Sequence, residues 1–182
     1  MPKWVYFSSI SKSAMEYHDE LIESLERHPE IKLAFQPGTF QMEAGVERMK
    51  HVYARSELVA LNREEAVFVT GGSYDDIHDL FDRLHALGPK IVLISDGPNG
   101  SYASDGTNRY SMPLYPDPKP PVERTGAGDA FTSTFVASIM RGNTIDGALQ
   151  WAPISSMNVV QHVCAQEGLL DEHELAELLK KA

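Results

Sequence analysis

The sequence has 182 residues, enough for one domain with a sizeable core. Hydrophobic residues make up 42% and charged residues 23%, and acidic residues outnumber basic ones by 26 to 16. The formal net charge of -10 disfavours nucleic acid or an anionic membrane as the main partner. The single cysteine, Cys164, excludes an intrachain disulfide and a cysteine-rich zinc site, and a reducing cytoplasm is the simplest interpretation.

Short apolar segments alternate with amphipathic ones along the first half of the chain. The apolar segments are rich in β-branched and aromatic residues, which predicts buried strands at 4–8, 31–35, 57–61 and 90–95. The segments between them predict helices at 13–28 and 40–54, a short helix starting after Asn62, and a helix capped by Ser73 that runs to Leu87.

Two further strands are predicted at 101–103 and 109–112, joined by a hairpin turn at Asp105 and Gly106. Residues 113–121 contain five prolines and predict an extended, stiff connection. The helices predicted beyond it are 129–140, 144–167 and 171–181. Cys164 falls in the second of these helices, where a small core residue is a more common role than a nucleophile.

Alternating strands and helices predict a three-layer α/β sandwich with a mostly parallel sheet, formed by residues 1–182 as a single domain. Ligands of such folds collect at the carboxyl ends of the strands. Three sequence motifs directly follow a predicted strand, and the fourth follows the proline-rich connection.

The most specific motif is the segment 123–131, Glu-Arg-Thr-Gly-Ala-Gly-Asp-Ala-Phe. Gly126 and Gly128 allow a tight turn and bring backbone N–H groups close to a ligand. The helix that follows adds its N-terminal dipole, which favours an oxyanion or a phosphate. Asp129 falls in the first helical turn beside that anion site, where it can accept a proton. The plain alternative is a glycine turn with an acid that favours the helix start.

The other motifs are weaker when each is taken alone. Residues 62–65, Asn-Arg-Glu-Glu, offer amide and carboxylate oxygens that suit magnesium, although Asn62 can equally be a helix N-cap. Residues 95–100, Ser-Asp-Gly-Pro-Asn-Gly, follow the strongest strand and can equally form a tight hairpin turn. Residues 36–38, Gln-Pro-Gly, indicate only a turn.

Together and in this order, the four motifs resemble those of the ribokinase-type PfkB family, and the resemblance extends over nearly the whole chain. Members transfer the γ-phosphoryl group of ATP to an alcohol of a sugar or nucleoside. The resemblance implies that Asp129 is the catalytic base and that the amides of Gly126, Ala127 and Gly128 stabilise the transferred phosphoryl group. It also assigns nucleotide contacts to Asn62, Ser95, Gly97, Gly100, Thr125, Gly126 and Gly128, and magnesium to Asn62 and Glu65.

The sequence departs from the family pattern at several points. Glu123 stands where the family usually has Asp near a monovalent-cation loop, so the resemblance does not carry potassium activation over. Pro153 stands where many members have an Asn beside the adenine, and Cys164 replaces a common Gly. No P-loop or HExxH string is present, which excludes a Walker-type phosphate site and that zinc motif.

The chain also lacks the N-terminal acceptor-binding glycines and the lid of the family. We therefore expect the ATP-binding and catalytic portion of such a kinase, as a fragment, a split subunit or a shortened chain. Two functions stay open: a cytoplasmic phosphotransferase that uses ATP and Mg²⁺, and a non-catalytic nucleotide-binding module. A homo-oligomer or a partner chain could supply the absent part, because an uncovered sheet edge invites pairing.

Overall fold

The computed structural model of the protein describes residues 1–180, and its strands form one six-stranded sheet in the order β1-β2-β3-β4-β5-β6. The α/β fold with a mostly parallel sheet is confirmed. The strands are β1 (Trp4–Phe7), β2 (Lys32–Phe35), β3 (Leu58–Asn62), β4 (Ile91–Ser95), β5 (Ser101–Ser104) and β6 (Arg109–Met112).

Eight α-helices occur in the described residues, together with short 3₁₀ turns at Lys12–Ala14 and Gly97–Asn99. None of these helices combines the length and apolar character needed to cross a membrane. The helices are α1 (Tyr17–Glu26), α2 (Thr39–Glu43), α3 (Val46–Arg55), α4 (Arg63–Thr70), α5 (Ile77–His85), α6 (Ala127–Met140), α7 (Ile145–Val159) and α8 (Glu172–Leu179).

The chain divides into two compact units. The first contains Met1–Ile94 and Ala103–Arg109, and the second contains Ser95–Tyr102 and the chain from Tyr110 onward. The prediction that residues 1–182 form a single domain is tested by no observation here and stays a prediction.

The core of the first unit is built on parallel pairing of β1 with β2 and of β2 with β3. In register, Phe7 lies beside Phe35 and Phe35 lies beside Val59. The rings of Phe7 and Phe35 stack with centroids 5.6 Å apart, and Tyr53 from α3 meets Phe35 edge-on at 5.5 Å. Because β2 and β3 are buried, their apolar residues run nearly without interruption, as the sequence pattern predicted.

Three helix predictions in the first unit were wrong. The helix expected at 13–28 covers only Tyr17–Glu26, after a separate 3₁₀ turn at Lys12–Ala14. The helix expected at 40–54 is two helices, because the chain breaks at Gly45, which has φ of 84°. The helix expected to start at Ser73 starts at Ile77, because the side chain of Asp76 accepts hydrogen bonds from the N–H groups of His78 and Asp79, both at 3.0 Å. Asp76 is therefore the cap, and Ser73 lies in the preceding turn.

The second unit centres on α6 packed along α7. The helix predicted at 144–167 ends at Val159, and the residues after Val160 form turns. Cys164 therefore lies in an exposed loop with φ of 73°, and its prediction as a core helical residue was wrong. The last helix starts after Asp171, whose side chain caps it, and the predicted end at Lys181 lies outside the described residues.

Candidate active site

A glycine turn starts α6 in the second unit. Gly126 has φ of 82° and ψ of -6°, the left-handed conformation in which residues other than glycine are strained. A Cβ atom on Gly126 would lie 2.6 Å from the Cβ of Ala165 and 2.9 Å from its Cα. Both the backbone conformation and the close approach of the 162–166 loop therefore require glycine at this position.

The amides of this turn differ in their hydrogen bonding. The N–H of Ala127 donates to the carbonyl of Arg124 at 3.2 Å. Within residues 1–180, the N–H groups of Gly126 and Gly128 have no hydrogen-bond acceptor. A Cβ on Gly128 would meet no atom within 4 Å. Two of the three predicted phosphoryl-binding amides are thus open, and the third is used in closing the turn.

The second predicted turn, after β4, also has a backbone that demands glycine. Gly100 has φ of 97°, and its carbonyl accepts a hydrogen bond from the N–H of Asp96 at 2.8 Å. A Cβ on Gly100 would overlap the carbonyl oxygen of Met112. This turn is therefore packed against the start of the proline-rich connection that follows β6.

The second unit contains a cavity of about 140 Å³, which we call the glycine-turn cavity. It brings together two predicted segments that are distant in sequence, because Ser95, Gly97 and Gly100 line it with Ala127 and Gly128. Thr125, Gly126 and Asp129 do not line it. The remaining lining residues are Ser101, Pro113, Leu114, Asp117, Arg124, Phe131, Pro153, Ser156, Met157 and Val160.

Most of these remaining residues were not predicted as site residues. Phe131 lies one helical turn after Ala127, so the two share a face of α6. Pro153, Ser156, Met157 and Val160 have the spacing i, i+3, i+4 and i+7, which places them on one side of α7 and its end. This helical spacing is the signal in the sequence that could have identified them.

Asp129 lies in the first turn of α6, as predicted, and it is exposed. Thr125 is also exposed, and its hydroxyl donates a hydrogen bond to the carboxylate of Glu123. The same carboxylate accepts a bond from the N–H of Cys164 at 3.1 Å. The Thr125 hydroxyl and then the Cys164 amide hold the pKa of Glu123 below its usual value. Glu123 therefore ties the glycine turn to the 162–166 loop.

Asn62 and Glu65 belong to the first unit, where they form a reciprocal capping box at the start of α4. The side chain of Asn62 accepts from the N–H of Glu65 at 2.8 Å, and the carboxylate of Glu65 accepts from the N–H of Asn62 at 2.8 Å. The N-cap alternative for Asn62 is thus realised in the structure. The described residues contain no group of three or more His, Cys, Asp or Glu side chains able to hold a metal ion.

The α/β fold places two glycine turns beside one cavity, and sequence comparison identifies the family. The chain belongs to the PfkB family of carbohydrate kinases, whose family model matches residues 16–172. The cytidine kinase of Thermococcus kodakarensis is 35% identical over 98 residues, which are 54% of this chain and 34% of that protein. The ribokinase of Bacillus subtilis is 34% identical over 94 residues, 52% of this chain and 31% of that protein.

A longer match extends to the ATP-dependent 6-phosphofructokinase of Thermoanaerobacterium thermosaccharolyticum, 25% identical over 176 residues, 93% of this chain and 53% of that protein. The chain thus spans 31% to 53% of the length of these three relatives. The homologues are sugar and nucleoside kinases.

Solved structures show the same fold. Arabidopsis thaliana ribokinase, complexed with ribose and ATP, superposes with a TM-score of 0.84 at 20% identity, covering 98% of this chain and 56% of that one. A ribokinase II from E. coli, in complex with ATP and Mg²⁺, gives 0.85 at 16% identity, covering 99% and 59%. The described fold is therefore a ribokinase-like fold, on a chain shorter than these structures.

Proposed function

We propose that this chain is the nucleotide-binding and catalytic portion of an ATP-dependent phosphotransferase that acts on an alcohol group of a sugar or nucleoside. The observation that carries the proposal is the glycine-turn cavity. The turn after β4 and the turn before α6 were both predicted to contact the nucleotide, and they line one cavity although about 30 residues separate them. Family membership and the names of the relatives support the same reaction class.

In the proposed reaction, Asp129 takes the proton of the acceptor hydroxyl while the hydroxyl oxygen attacks the γ-phosphorus. The bond between the γ-phosphorus and the β–γ bridging oxygen breaks, and ADP leaves. The N–H groups of Gly126 and Gly128 donate to the phosphoryl oxygens as their charge develops, since both donors have no acceptor within residues 1–180. The N–H of Ala127 contributes less, because it already donates to Arg124.

Magnesium enters this proposal as part of the substrate, MgATP. Magnesium in such sites keeps several waters and uses few protein ligands, so a cluster of acids is not required. Asn62 and Glu65 would bind this magnesium, usually through water. Their capping box fixes the orientation of the amide and the carboxylate. Thr125 and Ser95 are proposed as further contacts to the nucleotide.

A second function stays open beside the first, a non-catalytic nucleotide-binding module derived from such a kinase or one subunit of a split kinase. β1 lies at the edge of the sheet, where unpaired backbone groups can pair with a strand of another chain. We propose that residues 1–182 act as one ribokinase-like domain in the cytoplasm, and the edge position of β1 supports its assembly with a second copy or a partner chain.

Nucleotide binding and phosphoryl transfer, measured separately, test the first function against the second. Ligand-observed NMR titration reports MgATP binding, and labelled ATP reports transfer to ribose, fructose, cytidine and adenosine. The phosphotransferase proposal expects both. Binding without transfer in every acceptor mixture favours the module, and light scattering on the same sample shows whether it is an assembly. A folded chain that binds no MgATP at millimolar concentration contradicts both functions.

Asp129→Asn provides the sharper test wherever transfer is observed. The amide keeps the size of the side chain but cannot accept the proton, so we expect transfer to fall by about 10²–10⁴-fold while MgATP affinity holds. Asp146→Asn is the matched control, because Asp146 is an exposed acid in the first turn of α7. It loses a similar helix-dipole interaction and should retain transfer. If Asp129→Asn retains transfer within a few-fold, Asp129 is not the base.

A further inference from the structure

Arg124 is a wall residue of the glycine-turn cavity that the motif comparison left without a role. It lines the cavity together with Ala127 and Gly128, and its carbonyl accepts the bond from the Ala127 N–H that closes the glycine turn. Its backbone is therefore held at the turn, while its long side chain is exposed. A cationic side chain is thus rooted at the wall of the cavity that includes Gly128, whose amide is open, and next to the glycine turn.

The charge of Arg124 is not used within the part of the chain that the structure describes. In a protein of formal net charge -10, the arginines at 48, 83, 109 and 141 all form ion pairs with acids. Within residues 1–180, the guanidinium of Arg124 has no hydrogen-bond or ion-pair partner. Asp117 also lines the cavity and does not pair with it. An arginine left unpaired among so many acids is available to an anionic ligand.

We propose that Arg124 binds the phosphate chain of the nucleotide in the glycine-turn cavity and makes affinity depend on the number of phosphates. The planar guanidinium presents several donors that match phosphate oxygens in pairs, which gives stronger binding than a neutral donor. The open amides donate hydrogen bonds to phosphate oxygens, and the guanidinium of Arg124 adds a positive charge that backbone amides do not have. This inference rests on the proposed function, because it assumes that the cavity holds a nucleotide.

The test compares the parent chain with Arg124→Gln and Arg124→Lys in ligand-observed NMR titrations. The ligands are AMP, ADP, ATP and inorganic tripolyphosphate, each with magnesium. Losing a charge-assisted hydrogen bond to phosphate should weaken binding of ATP and tripolyphosphate by about 10–100-fold. Binding of AMP should change less than about threefold, because its single phosphate lies closer to the base. Arg124→Lys should recover part of the loss, since it restores the charge without the planar fork.

Arg27→Gln is the matched control. Arg27 is exposed, lies at the end of α1 in the other unit, and has no ion pair within residues 1–180. It changes the net charge of the chain by the same amount and should leave all four affinities unchanged. A general charge effect would weaken binding equally in both variants, and that result overturns the proposal.

Failure of this inference and failure of the proposed function give different results. If the parent binds ATP and Arg124→Gln binds it equally well, Arg124 is a solvated surface residue and only this inference is overturned. An equal loss for AMP and ATP also overturns it, because the effect then does not depend on phosphate number. If the folded parent binds none of the four ligands, both the proposed function and the role of Arg124 are overturned.

Discussion

The starts of α4 and α6 were both predicted to be binding sites, and they are built in different ways. At the start of α4, the polar side chains of Asn62 and Glu65 satisfy each other's backbone N–H groups. At the start of α6, Gly126 provides no side-chain cap, and the N–H groups of Gly126 and Gly128 have no acceptor within residues 1–180. Local structure thus accounts for the first motif but leaves the second with unused donors.

This difference shows which motif residues need a ligand to explain them. A helix start has orphan N–H groups that must be satisfied by a side chain, by water or by a ligand. Side-chain caps do this at α4, α5, α7 and α8. At α6 the N-cap is instead Gly126, as it is a glycine at α2 and α3, and the turn at α6 leads into a helix that borders a cavity. The left-handed turn itself needs Gly126, whereas the open N–H groups of Gly126 and Gly128 favour a role in approach to a ligand.

The largest expected effect comes from Gly126→Ala. The alanine must adopt φ of 82°, and its Cβ would lie 2.6 Å from the Cβ of Ala165. Backbone strain of this kind costs about 1–3 kcal/mol, and the clash adds to it. We expect a clear fall in the free energy of unfolding in urea, together with weaker MgATP binding. Parent-like stability would mean that the 162–166 loop moves away easily.

Gly128→Ala separates an effect on stability from an effect on binding. Gly128 lies two residues after Gly126, and a Cβ there would meet no atom within 4 Å. The helix should gain about 0.4–1 kcal/mol, since alanine replaces glycine without strain. The new methyl group would nevertheless lie on the cavity wall, so MgATP affinity should fall. A variant that is more stable but binds less tightly would assign Gly128 to the ligand. Unchanged affinity would contradict a close approach of the phosphates to this turn.

The sequence predicted the strands well because their signal is strong and local. β1 to β4 are runs of buried β-branched, aromatic and aliphatic residues, and each was predicted within one or two residues of its observed bounds. The glycine turn was predicted because its backbone requires glycine at Gly126, and glycine is visible in a sequence. The strands and the glycine turn beside the cavity could therefore both be predicted from the sequence.

The errors arose where long-range packing or competing caps decide the outcome. Ser73 and Asp76 are both good caps, and only the structure shows that Asp76 is used. The helix from Ile145 stops at Val159, although apolar residues continue beyond it, and the carbonyl of Val160 accepts long-range bonds from the N–H groups of Val122 and Glu123. Helical spacing groups the α7 residues on one face, but only the tertiary fold shows that this face and the proline-rich connection line the cavity.

Asn62→Ala should have an intermediate effect, opposite in sign to that of Gly128→Ala. Removing a side-chain N-cap costs about 0.5–2 kcal/mol, so the free energy of unfolding should fall by roughly 1 kcal/mol. Asn62→Asp is the matched control, because aspartate caps as well as asparagine and should keep parent stability. Urea denaturation of the three proteins measures the difference. Equal stability of parent and Asn62→Ala would show that the capping box contributes nothing.

The smallest expected effect concerns Glu123, which fastens the glycine turn to the 162–166 loop. Its pKa is held below the usual value of 4.5 by the Thr125 hydroxyl and then by the Cys164 amide. A carboxyl group with a lowered pKa in the folded state stabilises that state above its usual pKa. This stabilisation is lost as the pH falls through the folded pKa, because the protonated group is a weaker acceptor for both donors.

Glu123→Gln should therefore unfold at a slightly lower urea concentration than the parent near neutral pH. The difference should shrink as the pH falls below 4.5 and disappear below the folded-state pKa of Glu123. The effect is small because Glu123 is only half-buried and water competes for its hydrogen bonds. Glu23→Gln removes an exposed acid of α1 that has no ion pair within residues 1–180, and it should follow the parent at every pH. Urea midpoints measured from neutral to acidic pH decide the matter. If the difference in urea midpoint between parent and Glu123→Gln stays constant with pH, the ionised carboxylate of Glu123 does not hold the 162–166 loop. The position of Gly126 against Ala165 then depends on packing alone.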